Sequence, residues 1–134
     1  MRLVALTLAI TLAACQSSPS DIGLIQKAQR TADMPSCASL RVIDASQVRF
    51  DKELFRVNAE FAATPECMAD WRKQVDAGDW RRDHHGWWYD SGFNMTISLR
   101  RNFGAVTWYQ RSLEPNVRYV PTVVDRLLDA GGEN

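Results

Sequence analysis

The side chains best suited to chemistry are concentrated in residues 78–93, GDWRRDHHGWWYDSGF, which hold both histidines of the chain. Imidazole and carboxylate groups bind zinc and act as general acids and bases. Zinc needs three or four ligands, and adjacent histidines on an extended chain point to opposite faces unless Gly86 provides a turn. We therefore expect no metal site, no acid–base hydrolysis and no cofactor. The weak candidates for such chemistry are Asp83, His84, His85 and Asp90.

The same segment interleaves arginine with aromatic residues. Paired arginines can hold a carboxylate or phosphate through two hydrogen bonds, and an aromatic ring offers a flat contact surface. Tryptophan, tyrosine and arginine also dominate protein-interface hot spots. The alternative interpretation is that these aromatics build the core of a small domain. The predicted partner-binding residues are Trp80, Arg81, Arg82, Trp87, Trp88 and Tyr89.

Two neighbouring tryptophans in this segment are expected to behave differently. Consecutive side chains of an extended chain point in opposite directions, so both cannot readily face one core. Charged groups are costly to bury unpaired. We therefore expect Trp87 or Trp88 to be partly exposed beside Arg81 or Arg82.

The first fifteen residues combine a positive charge, an apolar run and a terminal cysteine. Arg2 precedes LVALTLAITLAA (residues 3–14), which is shorter than the roughly 20 residues of a membrane-spanning helix. The run ends in LAAC, residues 12–15, which resembles the lipobox of bacterial lipoprotein signal peptides. The resemblance implies a lipidated Cys15, with palmitate among its acyl chains, and anchoring to a membrane. In many lipoproteins an aspartate after the lipidated cysteine retains the protein in the inner membrane. This chain has Gln16 at that position, so the resemblance implies the periplasmic leaflet of the outer membrane. The inner membrane and the cell surface are alternatives.

The overall charge gives no reason to expect a nucleic-acid partner. The chain has 16 basic and 16 acidic residues, and removing Arg2 with the signal peptide leaves a formal charge of −1. Nucleic-acid binding normally requires a basic surface. The expected partners are instead the membrane, through Cys15, and a protein or another envelope component.

Cys37 and Cys67 form an even pair once Cys15 is assigned to lipid. Thiols of exported proteins usually pair, and this bond would close a loop of about 31 residues and contribute roughly 3.5–4 kcal/mol. The rival interpretation is a catalytic cysteine with His84 or His85 as its base. Motifs of common enzyme classes, including GxSxG, HExxH, CxxC and a glycine-rich phosphate loop, do not occur in the sequence.

The hydrophobic pattern predicts about four strands and two helices. Alternation indicates antiparallel strands, and four-residue spacing of apolar residues after Thr64 and Pro65 indicates a helix. The strands are predicted in residues 39–43, 48–63, 94–100 and 105–112, and the helices in residues 64–78 and 119–132. The fold class is therefore α+β, a small antiparallel sheet with two helices packed on it and one disulfide.

The domain organisation follows from the same pattern. Residues 1–14 are predicted to be the signal peptide, residues 15–36 the lipidated cysteine and a flexible tether, and residues 37–134 a single α+β domain. A short helix is possible around Ile22, Ile25 and Ala28, but Gly23 and its length make it marginal alone. We expect an envelope lipoprotein that acts as a non-catalytic binding module through residues 80–93. A structural accessory of an envelope assembly or secretion machine is the alternative, and a hydrolase or metal-binding protein is less favoured.

Overall fold

The structure is a computed structural model that describes residues 18–92 and 94–131. The predicted signal peptide and Cys15 lie outside these residues. Within the described ranges, no helix combines the length and apolar character needed to cross a membrane.

The described residues form three helices and seven strands. All neighbouring strands are antiparallel except the edge pair β1 and β7, which is parallel, and the sheet order is β3-β4-β5-β6-β2-β1-β7. The elements in chain order are α1 (Pro19–Thr31), β1 (Arg41–Asp51), β2 (Leu54–Ala62), α2 (Pro65–Ala77), β3 (Arg81–Arg82), β4 (Trp88–Tyr89), β5 (Met95–Leu99), β6 (Phe103–Gln110), β7 (Arg118–Tyr119) and α3 (Val123–Gly131).

The predicted fold class, a four-stranded antiparallel sheet with two helices, is wrong. Over residues 18–92 and 94–131, the sheet is mixed and has seven strands, and three helices are present. Three of the strands have two residues each, too few to show any alternation in sequence. The first hairpin also differs from prediction, since β1 and β2 turn at Lys52 and Glu53 and residues 48–63 do not form one strand. That turn contains neither glycine nor asparagine, the usual signals of a hairpin.

One face of the sheet carries the hydrophobic core. Alternate residues of β2, β5 and β6 point into it, including Val57, Ile97 and Val106, which are fully buried. Trp71 of α2 packs edge-on against Phe61, with 6.1 Å between the ring centroids. The core therefore lies between the helices and this face of the sheet.

Helix α1 belongs to the folded domain although it lies within the range predicted as a flexible tether. Leu24 and Ala28 are buried in the core, and the Nε1–H of Trp71 donates to the carbonyl of Ala32 at 2.8 Å. Ile22, expected on the apolar side of this helix, is exposed. A helix that is marginal alone is thus stabilised by tertiary packing.

Helix α2 and the predicted disulfide are confirmed. The Thr64 hydroxyl caps the helix by accepting from the Cys67 amide, Pro65 occupies the first turn, and Gly78 follows the last residue. Cys37 and Cys67 are bonded, with 6.2 Å between their Cα atoms. The bond ties the segment that follows α1 to the first turn of α2.

Gly104 lies within β6, at a point where α2 approaches the sheet closely. A Cβ on Gly104 would lie 3.0 Å from both Met68 and Trp71 side-chain atoms. Glycine at this position lets α2 pack closely on the sheet.

Helix α3 forms within the predicted range, and part of its apolar stripe faces solvent. Val123 and Leu127 are 65% and 67% exposed, whereas Val124 and Leu128 are partly buried. The helix is held through Asp125, which accepts from the Tyr119 hydroxyl, from the Thr122 amide at 2.8 Å and from Arg49 at 3.2 Å. Polar contacts at its first turn therefore hold the helix in addition to the partial burial of its apolar residues.

Candidate functional site

The segment singled out in the sequence forms a short hairpin at one edge of the sheet. Strands β3 and β4 pair Arg81 with Tyr89 and Arg82 with Trp88. Asp83 builds the turn, since its Oδ1 accepts from the backbone N–H groups of His85 at 2.9 Å and Trp87 at 3.0 Å. These bonds lower the pKa of Asp83 below its ordinary value, and the bond from Trp87 has the larger effect. Asp83 is therefore a turn-forming carboxylate, and Gly86 supplies the positive φ of 84° that the turn requires.

Trp88 belongs to the core. Its side chain is 2% exposed, and its Nε1–H donates to Asp76 Oδ1 of α2 at 3.1 Å. The guanidinium groups of Arg72 and Arg82 lie 5.3 Å and 4.7 Å from its ring, within the range of cation–π contacts. Trp88 therefore anchors the hairpin to α2.

Trp87 lies on the other face of the sheet. It is 45% exposed and borders a groove together with Thr96 and Thr107, whose side chains point away from the core. It also borders a second depression with Asp83, His85 and Arg100. The expected division between neighbouring tryptophans is thus present, with Trp87 exposed and Trp88 buried.

The face opposite the core is open in the part of the chain that the structure describes. Helices α1 and α2 pack on the core face, and α3 is held from the same side through Arg49, which lies 4.9 Å above the ring of Phe55. The residues of the open face come from alternate positions of β1, β2, β5 and β6. We call this surface the open face.

A row of polar residues crosses the open face in register. Thr96 pairs with Thr107, Thr107 with Asn58, and Asn58 with Ser46. Tyr89 and then Arg81 continue the row from Thr96 towards the hairpin edge. Because neighbouring strands lie about 4.8 Å apart, the four central residues span about 14 Å. We call these four residues, Ser46, Asn58, Thr96 and Thr107, the polar row.

The polar row forms the floor of a groove of about 500 Å³. Thr107 Oγ1 donates to Asn58 Oδ1 at 2.8 Å, which fixes the amide and leaves its nitrogen as a donor. Tyr109 borders the groove, and Phe50 packs against it edge-on with centroids 5.0 Å apart. The residues that line the groove are Ser46, Arg56, Asn58, Trp87, Thr96, Thr107 and Tyr109.

The predicted partner-binding residues are distributed over both sides of the hairpin. Tyr89 is partly exposed and, like the exposed Arg81, aligns with the polar row. Arg82 is exposed but lies over Trp88. Trp80 is half-buried and donates to Asp33 Oδ2 at 2.8 Å. The structure therefore joins Trp87, Tyr89 and Arg81 to the open face and separates them from Trp88, Trp80 and Arg82.

The remaining groove residues were not predicted as site residues. The alternation of β2 does place Arg56 and Asn58 on its outward face, and that of β6 places Thr107 and Tyr109 together. Only the register between the strands brings these residues next to Thr96 and Trp87.

The histidines lie at the tip of the hairpin. Their rings contact each other at a tilt of 43° with centroids 3.8 Å apart, and both are exposed. Asp90 Oδ1 accepts from the Asn94 and Met95 amides at 2.8 Å and 3.2 Å, so this carboxylate also builds a turn. Within residues 18–92 and 94–131, three or more histidine, cysteine, aspartate or glutamate side chains do not gather into a metal-binding group.

A second cleft, of about 610 Å³, lies near the first turn of α2. Arg41, Arg101 and Asn102 contribute to its lining. Its hydroxyl groups serve the fold, because Ser39 accepts from the Thr64 amide at 3.2 Å and contacts the Thr64 hydroxyl. None of the described residues that line this cleft is aromatic, so the groove beside Trp87 is the better candidate for binding.

Comparison with models of protein families, with curated proteins and with solved structures finds no match to this chain. We therefore infer the function from the geometry of the open face.

Proposed function

We propose that the protein is an envelope lipoprotein that binds an envelope component without catalysis, through the open face beside Trp87. The observation that supports this most directly is the exposure of Trp87 on a face where the described helices do not pack. A large aromatic side chain left 45% exposed next to a polar groove is a typical contact residue of a binding surface.

The structure leaves fewer candidate contact residues in residues 80–93 than the sequence suggested. Trp88 is engaged in the core, and Trp80 is engaged with Asp33. Trp87, Tyr89 and Arg81 are contact candidates because they lie on the open face, and the groove residues add hydroxyl and amide groups. Arg82 positions the hairpin through its contact with Trp88.

The membrane anchor is proposed at Cys15, from the lipobox resemblance, with the periplasmic leaflet of the outer membrane as the proposed location. The described chain begins at Ser18, and three residues span at most about 11 Å. The anchor would therefore hold the start of α1 close to the bilayer. Since α1 packs on the core face, such an anchor leaves the open face uncovered.

Substitution at Cys15 tests the anchor independently of the binding surface. Cys15→Ser should abolish acyl labelling of the protein with palmitate, because the thioether to the lipid can no longer form. Cys37→Ser, which removes a different thiol, should leave the labelling unchanged. Labelling that persists in Cys15→Ser would show that the protein is not a lipoprotein of this type.

A structural role in an envelope assembly is the second candidate function. The exposed Val123 and Leu127 of α3 favour it, because an amphipathic helix with exposed apolar residues is typical of protein–protein contacts. This surface lies on the other side of the sheet from Trp87, so the two functions can be tested separately.

Photocross-linking in living cells tests the proposed binding surface. A photoreactive phenylalanine derivative replaces Tyr89 on the open face or, as the control, Leu127 on α3. We expect cross-linked products from position 89 that differ from those of position 127 and disappear when Trp87→Ala is added. Products at position 89 that survive Trp87→Ala would contradict the proposal, and products specific to position 127 would support the structural role.

A further inference from the structure

We infer that the groove on the open face binds a glycan that carries carboxylate groups, of the kind found in the bacterial cell wall. The inference rests on the proposed function, since it names the class of ligand for the same surface. It depends on three features of the groove: a neutral polar floor, aromatic walls and a single charged side chain.

The floor matches a ligand rich in hydroxyl groups. The four side chains of the polar row are uncharged, and each offers a hydroxyl or amide group for hydrogen bonding. They lie on four adjacent strands in direct register, so their polar groups repeat at about 4.8 Å along a line. An extended sugar chain presents hydroxyl groups repeatedly along its length and can meet such a row at several points.

The walls match the flat faces of sugar rings. Pyranose rings expose C–H groups on their faces, and these groups pack on the negatively polarised face of an aromatic ring. Trp87 provides such a ring at one border of the groove, and Tyr109 provides a second one. The edge-on contact with Phe50 holds Tyr109 in place before the ligand binds.

The charge of the groove favours an acidic glycan over a neutral one. Arg56 is the charged residue among the seven that line the groove. It is exposed and pairs in register with Tyr109. A guanidinium group can hold a carboxylate through two hydrogen bonds.

Two acidic residues of the open face, Asp44 and Glu60, lie on the other side of the polar row from Arg56. Glu60 and Asp44 pair with each other one row further along the strands, and Asp44 is engaged with Arg118 at 3.4 Å. Arg56 therefore lies on the side of Tyr109, and the carboxylate of Glu60 lies on the opposite side of the polar row. This arrangement directs the carboxylates of a bound glycan towards Arg56.

Titration calorimetry with two soluble glycans tests the inference on the full-length protein in detergent micelles. The first probe is a peptide-free chain of alternating N-acetylglucosamine and N-acetylmuramic acid, which carries lactyl carboxylates. The second is the neutral tetramer of N-acetylglucosamine. We expect both to bind, the acidic chain more tightly.

Matched variants separate the contributions of ring, hydroxyl and charge. Trp87→Ala should weaken both glycans about tenfold. Arg56→Gln should weaken the acidic chain about tenfold and leave the neutral tetramer unchanged. Thr96→Val keeps the shape of its side chain and loses one hydroxyl, so it should weaken both glycans even if Trp87→Ala fails to fold. Leu127→Ala and Arg101→Gln, which lie away from the groove, should bind like the wild type.

The outcomes distinguish the inference from the proposed function. If neither glycan binds while cross-links from position 89 still depend on Trp87, the glycan is not the ligand. The open face would then still be the binding surface, for a ligand of another class. If Arg56→Gln weakens the binding of both glycans equally, the proposed contact between Arg56 and a carboxylate of the glycan is wrong. Binding that none of the groove substitutions changes would overturn the assignment of the glycan to this groove.

Discussion

Trp87 and Trp88 are neighbours in sequence whose side chains lie on opposite faces of the sheet. Trp88 is 2% exposed and hydrogen-bonded to Asp76 of α2, whereas Trp87 is 45% exposed and borders the groove of the open face. The strand that contains Trp88 anchors the hairpin, and the same extended backbone directs Trp87 outwards. The pair therefore links the stability of the domain to the position of its proposed contact residue.

The turn carboxylate Asp83 should position Trp87 without contacting the ligand. Asp83→Ala removes the acceptor for the His85 and Trp87 amides, so we expect weaker glycan binding with little change in the thermal midpoint. Asp83→Asn retains a carbonyl oxygen for the same turn and should bind nearly like the wild type. Calorimetric affinity measured beside a thermal melt checks this. Equal loss of affinity in both variants would show that the charge itself is needed.

The disulfide should account for a large part of the stability of this small domain. Cys37→Ser and Cys67→Ser should each lower the free energy of unfolding by about 2–5 kcal/mol, because the bond restricts a long loop of the unfolded chain. Urea unfolding of the oxidised protein and the two variants measures the difference. Adding a reductant should lower the stability of the wild type and leave each variant unchanged. Wild-type stability that is unaffected by reductant would contradict this role.

The attachment of α3 should weaken in acid. The hydrogen bond from Tyr119, followed by those from Thr122 and Arg49, lowers the pKa of Asp125 below its ordinary value of 3.8. A carboxylate with a lowered pKa in the folded state stabilises that state fully above its unfolded pKa, and this stabilisation is lost as the pH falls through the folded pKa. We therefore expect α3 to loosen below pH 3.8 while remaining attached at neutral pH.

Backbone amide NMR resonances of residues 123–131 report this change. Asp125→Asn should show loosened α3 resonances already at neutral pH and no further response of these resonances to acid. The Asp83 carboxylate also titrates in acid, but its effect should appear in the hairpin amides. Resonances of α3 that respond to acid equally in wild type and Asp125→Asn would contradict the prediction.

The longer elements of the fold are predictable from local sequence. Thr64, Pro65 and the buried Cys67, Trp71 and Val75 give α2 a cap and an apolar face that the structure confirms. Strands β5 and β6 likewise show clear alternation. Local spacing carries enough information for these elements because each is long enough to show its period.

The sheet order and the extent of the sheet are not predictable in this way. Strands β3, β4 and β7 exist because they pair with longer neighbours, and β7 pairs with β1 across a separation of about 70 residues. Such pairing is a tertiary property that two residues cannot encode locally. The polar attachment of α3 is not predictable for a related reason, since the contacts of Asp125 with Arg49 and Tyr119 join residues of three different elements.

The candidate site was predictable in part. Opposite placement of Trp87 and Trp88 follows from the geometry of an extended chain, but the sequence does not say which of them is buried. The polar row depends on the pairing of Thr96, Thr107, Asn58 and Ser46, which come from four different strands. Their outward positions follow from alternation, and their alignment follows only from the register.

The central claim, that the open face beside Trp87 is the binding surface, is tested most directly by comparing Trp87→Ala with Trp88→Ala. Urea unfolding measures the stability of each variant. Binding of the solubilised full-length protein to detergent-extracted envelope fragments measures its function. Trp87→Ala should change the free energy of unfolding by no more than about 0.5 kcal/mol and lose binding. Trp88→Ala should lose about 3–5 kcal/mol of stability, because it removes a buried ring from the core. Wild-type binding by a folded Trp87→Ala protein would contradict the assignment of the open face as the binding surface.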